Sequence, residues 1–237
     1  MVDVNTVKKP GVVTKQTLKW VEKQLKEAQS SGTQVIAASH QNLLQHNSIF
    51  SEGFQMGNAQ KLLTLYEKYN VLCNLSGHIH LQHIEQSPSG FIEFVTSSLI
   101  TSPIQYGTLV LKDFSIDYKT VPVDVSGWAK KNGLTNPDLL NFAKYAQMFF
   151  WNTSFRKAEQ ELSSNINIHN KRILAEFFAD INTAYFAGRT DTIDQKEELV
   201  AEWVQQSSFL STYLKSISDD GFQNHNEYSF YLGDETK

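Results

Sequence analysis

The sequence predicts an α/β part over residues 1–123 and an all-helical part over residues 124–237. Three observations predict it. Two segments of helical periodicity alternate with two short apolar runs, the order of parallel strands joined by crossover helices. Between residues 79 and 123, β-branched runs flank turn residues in pairs. From Asn136 onward, apolar residues recur at helical spacing almost to the end of the chain.

Each element has its own signal. Thr14 to about Ser30 places Leu18, Val21, Leu25 and Ala28 on one helical face, with Thr14 (or Thr17) as cap and Gly32 past the last turn. Thr33–Ser39 is a short apolar run, predicted as a buried strand that ends in His40. Residues 41–56 are polar and predicted as a loop. Asn58–Tyr69 is a second helix, and Asn70–Leu75 a second buried strand that ends in Ser76-Gly77-His78-Ile79-His80. Ile79–Gln86 and Phe91–Thr96 flank the turn Ser87-Pro88-Ser89-Gly90. Gly107–Lys112 and Ser115–Val123 flank Asp113-Phe114, and both hairpins are expected to extend one sheet. Asn136-Pro137-Asp138 starts a helix with a cap, a proline in the first turn and an acid on the dipole. That helix is expected to run to about Ser163, with its aromatic face in the core. Helices over 168–187 and 192–216 follow, and the tail carries Tyr228, Phe230, Tyr231 and Leu232.

Composition removes several classes of function. The chain has 237 residues, 41% hydrophobic and 19% charged, with a net charge of −4. That length supports a large core or two modest domains. The net charge gives no nucleic-acid footprint. No apolar run approaches the roughly 20 residues that span a bilayer, and the start lacks the apolar segment of a signal peptide. The expected compartment is the cytoplasm. With one cysteine, Cys73, no internal disulfide forms, and its place inside a strand makes it a small core residue.

Three of the seven histidines sit where a strand ends: His40, His78 and His80. In α/β sheets, ligands bind beyond the carboxyl ends of the strands. Neutral imidazole is the commonest metal-ligating side chain. Gly77 permits a sharp turn before the i, i+2 pair. The three are therefore candidate metal ligands, and no catalytic residue is assigned. His46, His83, His169 and His225 lack that context and are taken as ordinary polar residues, His83 lying near the motif. A structural zinc site needs four closed ligands, more than the three that converge.

The segment Val35-Ile36-Ala37-Ala38-Ser39-His40-Gln41-Asn42, followed by a helix, a strand and Gly77-His78-Ile79-His80, resembles the C-terminal half of the calcineurin-like metallophosphoesterases. The likeness covers residues 11–121, about half the chain. The surroundings resemble bacterial cyclic-nucleotide phosphodiesterase-like members with an added helical domain, here residues 124–237. The resemblance implies half of the family's α/β sandwich. It assigns His40 and His78 to one metal of a two-metal centre and His80 to the other. The ions would be Mn, Fe, Zn or Ni, activating water against a phosphoester.

The family's early motifs are missing from this sequence. There is no D-x-H, the only Gly-Asp pair is Gly233-Asp234, and Gly57-Asn58 is followed by Ala59 rather than histidine. Without a bridging carboxylate nothing offsets the repulsion of two close cations. The expectation is a phosphoesterase piece with an incomplete site, holding at most one cation weakly and inactive alone. Its partners are expected to be a phosphoester small molecule and either a second copy or the missing N-terminal half, with no membrane and no nucleic acid. The alternative function is a non-catalytic binding or interaction module.

Overall fold

The computed structural model describes residues 11–113, 115–194, 196–206 and 208–232. Residues 1–10, Phe114 of the second predicted turn and the Gly233-Asp234 pair lie outside them. The chain is α/β, as the sequence predicts, and forms two compact units that divide between Thr96 and Ser97. No helix among the described residues is long and apolar enough to cross a membrane.

The first unit holds α1 (Lys15–Ser30), β1 (Ala37–Ala38), α2 (Ala59–Lys68), β2 (Cys73–Ser76), β3 (His83–Gln86) and β4 (Ile92–Val95). Thr14 caps α1, its side chain accepting from the Thr17 amide at 3.1 Å. The strand order is β1-β2-β4-β3, with β1, β2 and β4 parallel and β3 antiparallel. Val21 and Leu25 of α1, and Leu62, Leu63 and Tyr66 of α2, form a core with Ala37, Val71, Phe91 and Leu43. All four residues of β4 are buried, as befits an interior strand. Cys73 is fully buried, and burial pushes its thiol pKa up to about 12, so it is an inert core residue.

Two strands are shorter than the sequence suggests. Thr33–Ser39 contracts to the two ladder residues Ala37 and Ala38, flanked by the bonds from Leu72 N to Val35 O and from Ser39 N to Leu75 O. The run from Ile79 becomes a strand only at His83, because His78 and His80 adopt φ of +66° and +65°, a left-handed conformation no strand accommodates.

The second unit corrects the single-sheet expectation. β5 (Gln105–Leu111) and β6 (Ser115–Pro122) form a separate sheet with β7 (Glu227–Tyr231), which is the aromatic tail. Pairing of β7 with β6, from Ser115↔Tyr231 to Lys119↔Glu227, ties the hairpin to the helical residues between them. The compact units divide at 96/97. Asn226 closes the link: its Oδ1 accepts from Gln105 Nε2 and Thr120 Oγ1, and its Nδ2 donates to the carbonyls of Ala187 and Gly188.

The helices of this unit are α3 (Val125–Lys131), α4 (Pro137–Leu140), α5 (Phe142–Glu161), α6 (Ile168–Phe186), α7 (Glu197–Val204) and α8 (Phe209–Asp220). The long helix expected from 137 breaks at Asn141, where the Phe142 amide bonds Ser126 Oγ at 3.0 Å. The helix expected over 192–216 splits, because Ser208 and Ser211 form a capping box that starts α8 afresh. α6 is the core element, with ten buried residues including Leu174, Phe178, Ile181 and Tyr185. α5 packs on it through the small residues Ser154 and Ala158. The aromatic face of α5 is not all core: Tyr145, Met148 and Phe149 are exposed, Phe149 at 64%.

Candidate metal centre

The parallel register of β1 and β2 sets Ala37 beside Asn74 and Ala38 beside Leu75. The pairing continues past the strand ends, with Ser39 N donating to Leu75 O at 3.0 Å and Gly77 N to His40 O at 3.2 Å. His40 and His78 thus leave the sheet side by side, where an α/β sheet presents ligand-binding groups. Their rings meet edge to face, centroids 4.7 Å apart, with His78 Nδ1 2.8 Å from His40 Nε2. His40 is exposed and His78 half-buried, with Phe54 against it at 5.5 Å.

A carbonyl fixes the tautomer. His78 Nε2 lies 2.9 Å from Gly53 O, and a carbonyl only accepts, so Nε2 carries the proton. In the neutral ring Nδ1 then presents its lone pair toward His40. The pKa of His40 is lowered, first by burial and then by the charges of His78 and His80, which favours the neutral, ligating form. His80 is exposed and acts on His40 through space.

The Gly77–His80 turn is strained and pinned. Two successive left-handed histidines flank Ile79, whose buried side chain anchors the loop. Such residues persist only where the surroundings over-determine them, and they cluster at functional sites. Ile79 N donates to Gly77 O at 2.7 Å, and Asn42 Nδ2 donates to Gly77 O and Ser76 Oγ, both at 3.0 Å. Replacing exposed His80 with glycine should therefore stabilise the fold. Relief of roughly 1–2 kcal/mol of left-handed strain exceeds the roughly 0.5–1 kcal/mol entropic cost of glycine. Urea unfolding should show a net gain of about 0.5–1 kcal/mol, and a loss would contradict the strain.

Sequence reasoning missed a buried polar cluster beneath these loops. Glu93 and the side chain of His46 are fully buried, and His83 is 1% exposed. His46 is thus no ordinary polar residue: its Nε2 is 3.2 Å from Glu93 Oε2 and its Nδ1 is 3.0 Å from His83 Nδ1. Burial raises the Glu93 pKa, but the His46 hydrogen bond and charge, with the Leu44 and Leu43 amides, outweigh it and hold the carboxyl below its usual range. The signal available was Glu93 itself, a charged residue inside the apolar run Phe91–Val95. His169 is exposed.

The donor set fits part of a metal site. Two converging imidazoles suit Mn, Fe, Zn or Ni. Among the described residues, no histidine, cysteine or carboxylate joins His40 and His78 within 4.8 Å to make a group of three. The pair is therefore short of a complete shell. A cavity of about 400 Å³ lies in the second unit, lined by Trp151, Asp180, Thr183 and Arg189 among others, none of them among the three candidate ligands.

Residues 124–224 match the family model for the C-terminal domain of cyclic nucleotide phosphodiesterase. The start of the match coincides with the sequence boundary at 123/124, although the compact unit begins earlier, at Ser97. Among solved structures, the chain is similar to a dimetal phosphatase from Danio rerio at 21% identity and a TM-score of 0.41. The likeness covers 46% of this chain and 36% of that one, little more than a third of its length. No curated protein matches the chain.

Proposed function

We propose that this chain carries the histidine side of a two-metal phosphoesterase centre, with His40 and His78 ligating one cation and His80 the second. The observation that carries the reading is the 2.8 Å approach of His78 Nδ1 to His40 Nε2 at the ends of adjacent parallel strands. The match of residues 124–224 to the C-terminal domain of cyclic nucleotide phosphodiesterase supports a phosphodiester as the substrate class. When bound, the metals supply Lewis acidity and a water of lowered pKa. The protein's own part is to hold the two imidazole rings side by side at the strand ends. Gly53 O fixes the His78 tautomer, and Phe54 shields one side of its ring.

The site is completed, in this reading, by carboxylates from another segment or chain. β1 is an edge strand with a pairing side that no described strand occupies, directly beside His40. Exposed edges invite such pairing. Alone, the chain holds one cation weakly and does not turn over substrate.

Titration of the chain with Mn²⁺ tests this. His78→Ala and His40→Ala should each weaken binding at least about tenfold, the scale of losing a metal-site interaction. Hydrolysis of bis-p-nitrophenyl phosphate should appear only when a polypeptide carrying the D-x-H, G-D-x-x-D and G-N-H motifs is added. Mn²⁺ binding unchanged in both variants, or turnover by the chain alone, overturns the proposal. A second reading, a non-catalytic interaction module, is favoured by the exposed Tyr145, Met148 and Phe149 on α5. It predicts partner binding that Phe149→Ser abolishes while Mn²⁺ uptake is unchanged.

A further inference from the structure

We infer that Glu93 is the positioning residue of the histidine pair: one buried carboxylate on β4 fixes both loops from which His40 and His78 project. The inference rests on the reading of those histidines as ligands. It concerns a residue that the metal-ligand pattern does not contain.

Glu93 sits opposite Asn74 in the β2–β4 register and is fully buried. Its Oε1 accepts from Asn74 Nδ2 at 2.6 Å and from Leu43 N at 3.0 Å. Its Oε2 accepts from Leu43 N at 2.9 Å, Leu44 N at 2.6 Å and His46 Nε2 at 3.2 Å. Every partner is a donor, which only an ionised carboxylate satisfies in full.

Two relays run outward from this anion. Asn74 Nδ2 also donates to Ser39 Oγ at 3.0 Å, and Ser39 precedes His40. Ser39 Oγ in turn donates to Gln41 O at 2.8 Å, bracketing His40 in its loop. On the other side, the Leu43 and Leu44 amides hold down the loop that carries Asn42. Asn42 Nδ2 then grips Ser76 Oγ and Gly77 O, immediately before His78. The arrangement is costly. Asn74 Oδ1 is buried without a hydrogen-bond partner, so the side chain forgoes its acceptor to serve Glu93 and Ser39 as a donor. A buried group left unsatisfied in this way calls for a reason. A loop that needed only stability would be served as well by an apolar contact, since buried charges repay their desolvation poorly.

The test uses Glu93→Gln in the full chain. Glutamine places an amide N–H against donors. In metal-free protein, ¹⁵N imidazole spectra should show His78 as the Nε2–H tautomer in the wild type. Glu93→Gln should average that signature toward free imidazole and weaken Mn²⁺ binding by about 10- to 100-fold. A folded Glu93→Gln that keeps the His78 tautomer and an Mn²⁺ affinity within twofold of wild type overturns the inference. Should Glu93→Gln not fold, Asn42→Ala cuts the relay to Gly77 without touching the carboxylate. It must then show the same two changes, and their absence in the folded variant overturns the inference equally. If the wild type takes up no Mn²⁺, the metal reading fails on its own, and the tautomer spectra still decide the role of Glu93.

Discussion

Trp203→Ala is expected to remove about 4 kcal/mol from the second unit, the usual scale for deleting a fully buried aromatic. Trp203 has no exposed surface, packs against Phe178 with ring centroids 5.4 Å apart, and donates from Nε1 to Leu174 O at 2.9 Å. It belongs to α7, a helix of eight residues that is too short to be stable by propensity alone. Its anchoring on α6 therefore depends largely on this one side chain. The loss is a large part of the roughly 5–15 kcal/mol that stabilises a typical domain. Urea unfolding followed by far-UV circular dichroism should show the midpoint falling with the slope unchanged. A loss below about 1 kcal/mol, the level of an ordinary substitution, would contradict the packing.

Asn182→Leu should cost about 2 kcal/mol, because the Tyr213 hydroxyl loses this acceptor while Ser154 Oγ loses one bond and keeps the one it donates to Phe150 O. Asn182 Oδ1 accepts from the Tyr213 hydroxyl at 2.7 Å, and its Nδ2 donates to Ser154 Oγ at 2.8 Å, joining α5, α6 and α8. Burial, and then the nearby Tyr185, raises the Tyr213 pKa well above its ordinary value, so the hydroxyl remains a donor at any working pH. Replacing all three polar groups should be far milder than replacing the middle one. Asn182→Leu with Tyr213→Phe and Ser154→Ala removes donor and acceptor together, which is nearly neutral when shape is kept. Thermal unfolding of the single and triple variants measures the difference. A triple variant no more stable than Asn182→Leu would place the cost in packing instead.

How far the sequence discloses this structure depends on how local each determinant is. α1 and α6 are legible because cap, apolar face and terminating glycine lie within one segment, as with Thr14, Val21, Leu25 and Gly32, and α2 is legible from its apolar face. The parallel order of β1 and β2 follows from the crossover helix between them. The second sheet is not legible, because β7 reaches β6 across more than a hundred residues and nothing local marks the pairing. The break at Asn141 escapes for the same reason, since its cause is Ser126 on another helix. At the site, His40 and His78 are readable from their place after apolar strands. Glu93 shows itself only as a charge inside an apolar run, and His46 and His83 do not show at all, because burial, which no single residue type reveals, is what gives them their role.

The left-handed turn at Gly77–His80 also inverts the ordinary rules of amino-acid exchange. At most positions glycine and asparagine are poor replacements for a large side chain, but here the backbone itself would accept them readily. Histidine is held at residues 78 and 80 against that preference. Random variation screened only for solubility would drift toward glycine or asparagine at both places. Only a screen that rewards the imidazoles would keep them. The two kinds of selection would leave different footprints on the same four residues.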